Sequence, residues 1–371
     1  MNNAHGPFDI ISGIKVSFES EEFSDIIYDD YVINGTLVLD HAYACKALQL
    51  PLGVCIFICI FYLLIFLLAI PGNFVVFCVV GCSRHKLSPS DLFLFHLALA
   101  DLMLALTLPL SAVSVLQGWV FGNFTCKLVS MAMEVNYYTS ILFLVCISAD
   151  RYIVVVHAAT ETWGRFRGRW IPSWIACGCV WTLGLLLSVP AVIYNEAFKL
   201  DEKDKIQCGE YYTASTSTEW RFATRMLRHL IGFLIPLGAM VGFYGVTIAR
   251  LVQTRGFRKQ KAMRVIILVV VAFLLCWSPY HLAVIVDTLV RDELASSCEK
   301  RNEVDLALLV TQSLGLLNCC INPVLYAFVG EKFRSNLKKL LCRRSGLERE
   351  SMSRFSRSTS STSQDANNAL T

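Results

Sequence analysis

The chain has 371 residues, of which 55% are hydrophobic and 17% charged, with a mean hydropathy of +0.54. Soluble domains carry about 25% charged residues, so this composition argues against a soluble globular enzyme. Net charge is only +4, yet residues 1–50 hold eight acids (Asp9, Glu19, Glu21, Glu22, Asp25, Asp29, Asp30 and Asp40) against Lys15 and Lys46. That arm is net −6 and the remainder net +10, so the two ends of the chain face different partners.

A helix needs about 20 mostly apolar residues to cross the hydrocarbon core. Seven such stretches occur. No charged residue appears from Ala47 to Ser83, Trp170 to Asn195, Leu230 to Ala249, Val265 to Val286 or Leu306 to Gly330, which gives spans one, four, five, six and seven. Span two, near Leu92 to Leu116, carries the single charge Asp101; span three, near Cys126 to Val156, carries Glu134 and ends at Asp150 and Arg151. The expected fold is an all-α membrane protein, a seven-transmembrane helix bundle with a short amphipathic eighth helix. The expected division is an acidic extracellular arm over 1–50, the bundle over 51–330, a membrane-surface helix over 331–342 and a disordered Ser/Thr-rich tail over 343–371.

Basic loops stay cytoplasmic. Arg84 and Lys86 follow span one, Arg165, Arg167 and Arg169 follow span three, six Lys and Arg from Arg250 to Arg264 link spans five and six, and Lys332, Arg334, Lys338 and Lys339 follow span seven. The acidic N-terminus is then outside and the C-terminus inside. No positive n-region with a short apolar h-region precedes Leu50, so span one is expected to direct insertion itself.

Of fifteen cysteines, nine fall within spans, and Cys82 and Cys342 are cytoplasmic. Cys45, Cys126, Cys208 and Cys298 remain on the oxidising side, and four cysteines allow three pairings that spacing does not decide. Past Gly330, Phe333, Leu337, Leu340 and Leu341 stand at helical spacing among Lys and Arg, as in a helix lying on the inner membrane surface. Cys342 after it is either a palmitoylation site or a plain thiol.

Ionisable residues in mid-bilayer are costly and mark function by default. Asp101 sits in Leu97-Ala98-Leu99-Ala100-Asp101, where a cation or several donors would hold it charged and where a neutral carboxyl is the alternative. Glu134 lies seven residues after Lys127, with Tyr137 and Tyr138 one turn further, so a polar pocket in the outer half competes with a plain Lys–Glu pair. Pro109, Pro190, Pro236, Pro279 and Pro323 fall inside spans, where proline removes a helix hydrogen bond and creates a kink. Cys276-Trp277-Ser278-Pro279 puts a large ring at one of them.

In order, the marks are Gly72-Asn73, Leu97 through Asp101, Asp150-Arg151-Tyr152, Trp181, Pro236 with Tyr244, Cys276-Trp277-Ser278-Pro279, and Asn322-Pro323-Val324-Leu325-Tyr326. This set resembles the rhodopsin-like (class A) G-protein-coupled receptors over about 270 residues. Thr107-Leu108-Pro109, Trp119-Val120-Phe121-Gly122, the run from Asp150 to Ala158 and an extra cysteine pair look like a chemokine receptor. Glu219-Trp220-Arg221 through Arg225, Val286-Asp287-Thr288-Leu289 through Arg291 and Cys298-Glu299-Lys300-Arg301-Asn302 look like the interleukin-8-type CXC receptors.

The resemblance implies two disulfides, Cys126 with Cys208 and Cys45 with Cys298. It implies a sodium pocket of Asp101, Ser140, Asn318 and Asn322, with no other cofactor. Asp150, Arg151, Tyr152, Tyr244, Trp277, Pro279, Asn322, Pro323 and Tyr326 become the activation switch, with Arg151 held by Asp150 at rest and turned toward the G protein on activation. The ligand implied is a small basic CXC chemokine. Glu19, Glu21, Glu22, Asp25, Asp29 and Asp30 surround Tyr28 and Tyr31, which makes an acidic capture arm with two sulfation candidates. Lys127, Glu134, Arg221, Arg225, Asp287 and Arg291 complete the ligand set, and Arg221 and Arg225, four apart on one helix face, suit a Glu-Leu-Arg glutamate. Gln312 departs from the glutamate that many chemokine receptors carry in span seven.

Asn34-Gly35-Thr36 is a glycosylation sequon, and Asn123-Phe124-Thr125 a second one close to the membrane. Ser356, Ser358, Thr359, Ser360, Ser361, Thr362 and Ser363 are candidates for receptor kinases, whose phosphates would recruit arrestin. The expected partners are therefore a CXC chemokine, an inhibitory-class heterotrimeric G protein, receptor kinases, arrestin and membrane lipid, with no nucleic acid. The expected place is the plasma membrane and the expected output chemotactic signalling. No constellation of nucleophile and base, metal-ligand spacing or phosphate-cradling loop suggests an enzyme. Two rivals share parts of this pattern: a scavenging receptor, against which the intact Asp150-Arg151-Tyr152 with Ala158 argues, and a transporter or channel, which the absence of repeat symmetry disfavours.

Overall fold

The computed structural model describes residues 31–33, 36–38, 50–81, 87–156, 172–199, 205–212, 217–253, 257–294, 298–329, 333–335 and 337–338, with the backbone alone at several helix ends. It divides into two units, residues 1–45 and 46–371. In the first, β1 (Tyr31–Ile33) and β2 (Thr36–Val38) pair antiparallel with Ile33 opposite Thr36. The intervening Asn34-Gly35 is a dipeptide favoured in two-residue hairpin loops.

The second unit contains seven helices long and apolar enough to cross a membrane. Helix α1 (Leu52–Gly81) is apolar all round, so periodicity of polarity does not orient it. Packing does: Ile58, Tyr62, Ile65, Ala69, Asn73 and Val76 form a buried stripe three or four apart, while Phe57, Leu64 and Leu67 stay exposed as lipid-facing residues must. Helix α2 (Pro89–Gln117) starts on a capping box in which Ser88 Oγ accepts from the Asp91 N–H at 3.3 Å and the Ser88 N–H donates to Asp91 Oδ2 at 3.2 Å. It ends at Gly118, whose φ of +86° suits glycine and whose missing Cβ would lie 2.8 Å from the Ile206 carbonyl.

Helix α3 (Gly122–Val156) is 35 residues long, about 52 Å at 1.5 Å per residue, and packs against α1's neighbour α2, the fourth and fifth spans and the hairpin. The fourth span is α4 (Ser173–Leu187) followed by α5 (Val189–Tyr194), interrupted at Ser188, whose hydroxyl donates to the Gly184 carbonyl at 2.7 Å. Strands β3 (Asn195–Lys199) and β4 (Ile206–Glu210) then pair antiparallel, Ala197 opposite Cys208. The fifth span runs through α6 (Ser217–His229), a π-helical turn (Leu230–Leu234) and α7 (Ile235–Gln253). The sixth is α8 (Phe257–Leu294), and the seventh is α9 (Cys298–Leu316) plus α10 (Asn318–Val329). Residues 333–335 and 337–338 are helical, and the Phe333 ring lies 6.4 Å from that of Tyr326; the rest of the expected eighth helix and the tail fall outside the described residues.

The prolines differ from expectation in two places. Pro190 stands in the first turn of α5, where its missing N–H costs nothing, so it begins a helix rather than kinking one. Pro71 is an additional helix-interior proline alongside Pro109, Pro279 and Pro323. Carbonyls deprived of a donor find side chains instead. Pro236 cannot serve the Gly232 carbonyl, which accepts from Tyr137 Oη at 2.8 Å, and Pro323 cannot serve the Cys319 carbonyl, which accepts from Asn73 Nδ2 at 2.8 Å. Gly72 permits the second contact, since a Cβ there would sit 3.0 Å from Pro323.

A small apolar cluster of Trp119, Cys126 and Val129 lies at the hairpin end, and two larger ones fill the bundle. One surrounds Phe143, Met240, Phe273 and Trp277; the other surrounds Ile65, Leu104, Leu108 and Leu316.

Candidate functional site

At the end of the bundle closed by the β3–β4 hairpin, Cys126 of α3 and Cys208 of β4 form a disulfide with Cα atoms 5.6 Å apart. The Trp119 N–H donates to the Ile206 carbonyl at 2.6 Å, so the hairpin is held to the tops of the second and third spans. Beneath it lies a small cleft open to solvent, walled by Glu134, Tyr138, Tyr194, Glu210, Tyr212 and Arg228 among others.

The charges at this end of the bundle are paired, though not as the spacing suggested. Lys127 does not meet Glu134: its ammonium donates to the Val192 carbonyl at 2.9 Å and reaches Glu196 Oε1 at 3.4 Å. Glu134 is instead bound by Arg228, whose guanidinium also donates to Tyr280 Oη at 2.9 Å and lies 3.9 Å from Glu210. Arg228 thus joins the third, fifth and sixth spans to the hairpin. One turn up the fifth span, Arg225 pairs with Asp287 at 2.6 Å and donates to Thr288 Oγ1 at 2.8 Å. The Arg221 guanidinium sits 5.4 Å from the Tyr212 ring centroid. Burial, reinforced by the Glu210 carboxylate, pushes the Tyr212 phenol up to about 12, so it keeps its proton and donates to Glu210 at 3.3 Å.

Among the other expected ligand residues, Tyr31 opens β1 and Arg291 falls on the backbone of α8. Glu21, Glu22, Asp25, Tyr28, Asp29 and Asp30 lie outside the described residues, as do Asn34, Cys45 and the tail serines and threonines. Cys298 begins α9, and its expected bond to Cys45 falls outside what is described.

Half-way down the bundle, Asp101 is fully buried. Its two carboxylate oxygens accept from Asn136 Nδ2 at 3.0 Å and Asn322 Nδ2 at 3.1 Å. One helical turn along the chain from Asn136 and Asn322, Ser140 Oγ and Asn318 Oδ1 are buried without a hydrogen-bond partner among the described residues, as is Asn322 Oδ1 itself. Orphaned oxygens are expensive in a protein interior. One carboxylate with three unused neutral oxygens is a donor set for a small hard cation, so these residues fit sodium.

At the opposite end, Ser90 bridges the two charges at the foot of α3. Its hydroxyl donates to Asp150 and accepts from Arg151 Nη2 at 2.6 Å, with Arg151 and Asp150 3.8 Å apart. Tyr244 Oη accepts from Ser148 at 2.9 Å, and the Tyr152 ring lies 5.6 Å from Phe243. Tyr326 Oη is buried with no partner among the described residues. Between the two ends, Trp277 packs edge-on to Tyr137 with centroids 4.7 Å apart and rests on Gly315, where a Cβ would come within 2.9 Å of its ring.

The sequence reading missed Arg228, Glu196, Glu210, Asn136, Ser90 and the buried pair His229 and His281. Arg228 was accessible to it, being three residues beyond Arg225 on the same helix face. The hairpin carboxylates were not, because nothing in local pattern tells which loop residues fold back over the bundle.

Residues 72–326 match the family described as 7 transmembrane receptor (rhodopsin family). The chain is 42% identical over 310 residues to C-X-C chemokine receptor type 1 of Oryctolagus cuniculus, covering 83% of this chain and 85% of that protein. It is 40% identical over 341 residues to C-X-C chemokine receptor type 1 of Homo sapiens, covering 92% and 95%. Against C-X-C chemokine receptor type 2 of Homo sapiens the identity is 42% over 303 residues, covering 81% and 82%.

Proposed function

The chain belongs to the rhodopsin family of seven-transmembrane receptors, in its C-X-C chemokine receptor branch, and on that premise we propose that it binds a Glu-Leu-Arg-bearing CXC chemokine outside the cell and activates an inhibitory-class G protein within. The family is one of receptors rather than enzymes, and the protein is a multi-pass plasma-membrane protein. The disulfide-closed end faces outward and the Asp150–Arg151 end inward, in keeping with the basic loops.

The observation that carries the reading is the ion pair of Arg225 with Asp287 near the hairpin end of the bundle, with Arg221 one turn away. A chemokine is basic, so the acidic arm with Tyr28 and Tyr31 captures it by long-range attraction. Its N-terminal glutamate then competes with Asp287 for Arg225, helped by Arg221, in charge-assisted hydrogen bonds that are strong where water is scarce. Freed from Arg225, Asp287 becomes an acceptor for the ligand's own cation. Each member of the Arg225–Asp287 pair thus gains a ligand partner of opposite charge, so binding shifts the bundle without leaving a buried charge uncompensated.

Asp101, Ser140, Asn318 and Asn322 would hold a sodium ion in the resting bundle, where it would supply the positive charge that the buried Asp101 carboxylate lacks and an acceptor for unused neutral oxygens. At the inner end, Ser90 and Asp150 occupy the Arg151 guanidinium at rest; releasing it offers a cation to the G protein, and Tyr244 and Tyr326 stand where they can close behind it. Receptor kinases and arrestin then act on the tail, and the cellular output is leukocyte chemotaxis.

Saturation binding of a fluorescent Glu-Leu-Arg-bearing chemokine to cells expressing the chain tests the ligand assignment. Nanomolar binding that Arg225→Ala weakens by about tenfold or more supports it. Binding indifferent to that substitution would place the ligand elsewhere.

A further inference from the structure

Spans five and six meet along a line of polar ties and share few other close backbone approaches among the described residues. The ties fall on one helix face: Arg225 to Asp287 and Thr288, Arg228 to Tyr280, and His229 to His281. The innermost has no place in the function described above. His229 and His281 are 4% and 3% exposed, and their Nδ1 atoms stand 2.7 Å apart.

The proton positions follow from the partners. The Gly232 carbonyl, left without an α-helical donor by Pro236, can only accept, so Tyr137 spends its single phenolic proton there. His281 Nε2, 2.8 Å from the same Tyr137 oxygen, must then carry a hydrogen and donate it. That leaves His281 Nδ1 as a bare acceptor, and the hydrogen between the two rings belongs to His229 Nδ1. His229 Nε2 is consequently bare, in agreement with its having no partner among the described residues. One directional chain, with no net charge, therefore runs from the fifth span through the sixth to the third and back to the fifth at its π-helical turn.

Its location makes it consequential. His281 lies two residues beyond Pro279, at the kink of span six and one turn from Trp277. Phe233 stacks on its ring with centroids 4.2 Å apart, and Tyr137 touches both His281 and Trp277. Any outward movement of span six at this level pulls the two imidazoles apart, stranding a buried donor and a buried acceptor. The structure that contains the bond also has Arg151 engaged by Ser90 and Asp150.

We propose that His229 and His281 form a latch that holds span six against span five in the resting receptor and so sets its basal signalling. The proposal rests on the receptor function put forward above. His281→Phe keeps the ring that stacks on Phe233 and deletes both nitrogens. His281→Asn places a side-chain oxygen near the position of Nδ1, where it still accepts from His229.

The test is chemokine-free nucleotide exchange on a purified inhibitory-class G protein, with each receptor variant in lipid nanodiscs. His281→Phe should raise basal exchange about fivefold or more, the shift expected when a buried donor in the resting state loses its acceptor. His281→Asn should return it to within about twofold of the parent. His229→Phe should match His281→Phe, and the double variant should add little, because either change alone opens the latch. His229→Ala gives the same comparison should a phenylalanine variant fail to fold. Unchanged basal exchange in variants that still respond to chemokine would overturn the latch while leaving the receptor function intact, as would a lower melting temperature with no change in exchange. A parent receptor that never stimulates exchange with chemokine would remove the functional reading and this inference together.

Discussion

Replacing Arg228 by methionine keeps most of its volume but removes the guanidinium that holds Glu134. Both side chains are 18% exposed, so solvent can compensate only a small part of the lost charge. Breaking a buried pair from one side costs about 3–5 kcal/mol, because the remaining ion is left without a partner. Two further losses act in the same direction: Tyr280 Oη forfeits a donor at 2.9 Å, and Glu210, formerly 3.9 Å from the guanidinium, now only repels Glu134. A destabilisation of about 3 kcal/mol corresponds to a fall of roughly 6–12 °C in melting temperature, at about 2–4 °C per kcal/mol for a domain of this order of size. The assay is tryptophan fluorescence of detergent-purified receptor during a thermal ramp, without ligand. Adding Glu134→Gln to Arg228→Met should recover more than half of the loss, since it removes the stranded charge. A single variant melting within 2 °C of the parent, or a double variant less stable than the single, would refute the reasoning.

Three other outcomes follow from the geometry. Cys126→Ser unties β4 from α3, and losing such a bond costs about 2–5 kcal/mol, so the melting temperature should drop and chemokine binding should fall with it. Gly315→Ala brings a methyl to 2.9 Å from the Trp277 ring, an overpacking worth about 1–3 kcal/mol, which a thermal ramp would read together with altered chemokine-stimulated exchange. The parent should melt at a higher temperature in sodium chloride than in choline chloride, and Asp101→Asn should abolish that difference; a difference of unchanged size in the variant, or none in the parent, would remove the sodium assignment.

Much of this architecture was legible because lipid imposes strong rules. The seven spans follow from five uncharged runs and two that carry a single interior charge, and only their ends moved: α2 begins at Pro89 because Ser88 and Asp91 cap it, and α3 starts at Gly122, a turn before the expected boundary. The switch residues and the Asp101 set were assigned by resemblance, because motif order fixes depth in the membrane. Partner identity was not legible. Glu134 selected Arg228 rather than Lys127 because the β3–β4 hairpin brought Glu196 over Lys127, and no spacing along α3 encodes where that hairpin lands. Ser90 and Asn136 escaped for a related reason: small polar residues in helices have no periodic signal, and their roles depend on which neighbour faces them. Pro190 misled because a proline inside an apolar run reads as a kink unless the preceding break at Ser188 is known. The histidine pair was overlooked since each residue alone resembles ordinary packing.

The central claim is a chemokine receptor that works through an inhibitory-class G protein. It is tested most directly by adding Glu-Leu-Arg-bearing CXC chemokines to cells expressing this chain or its Arg151→Ala variant and measuring suppression of cyclic AMP, with and without pertussis toxin. The account predicts suppression by the parent that the toxin and the substitution each abolish. Chemokine binding and uptake without any suppression would contradict it.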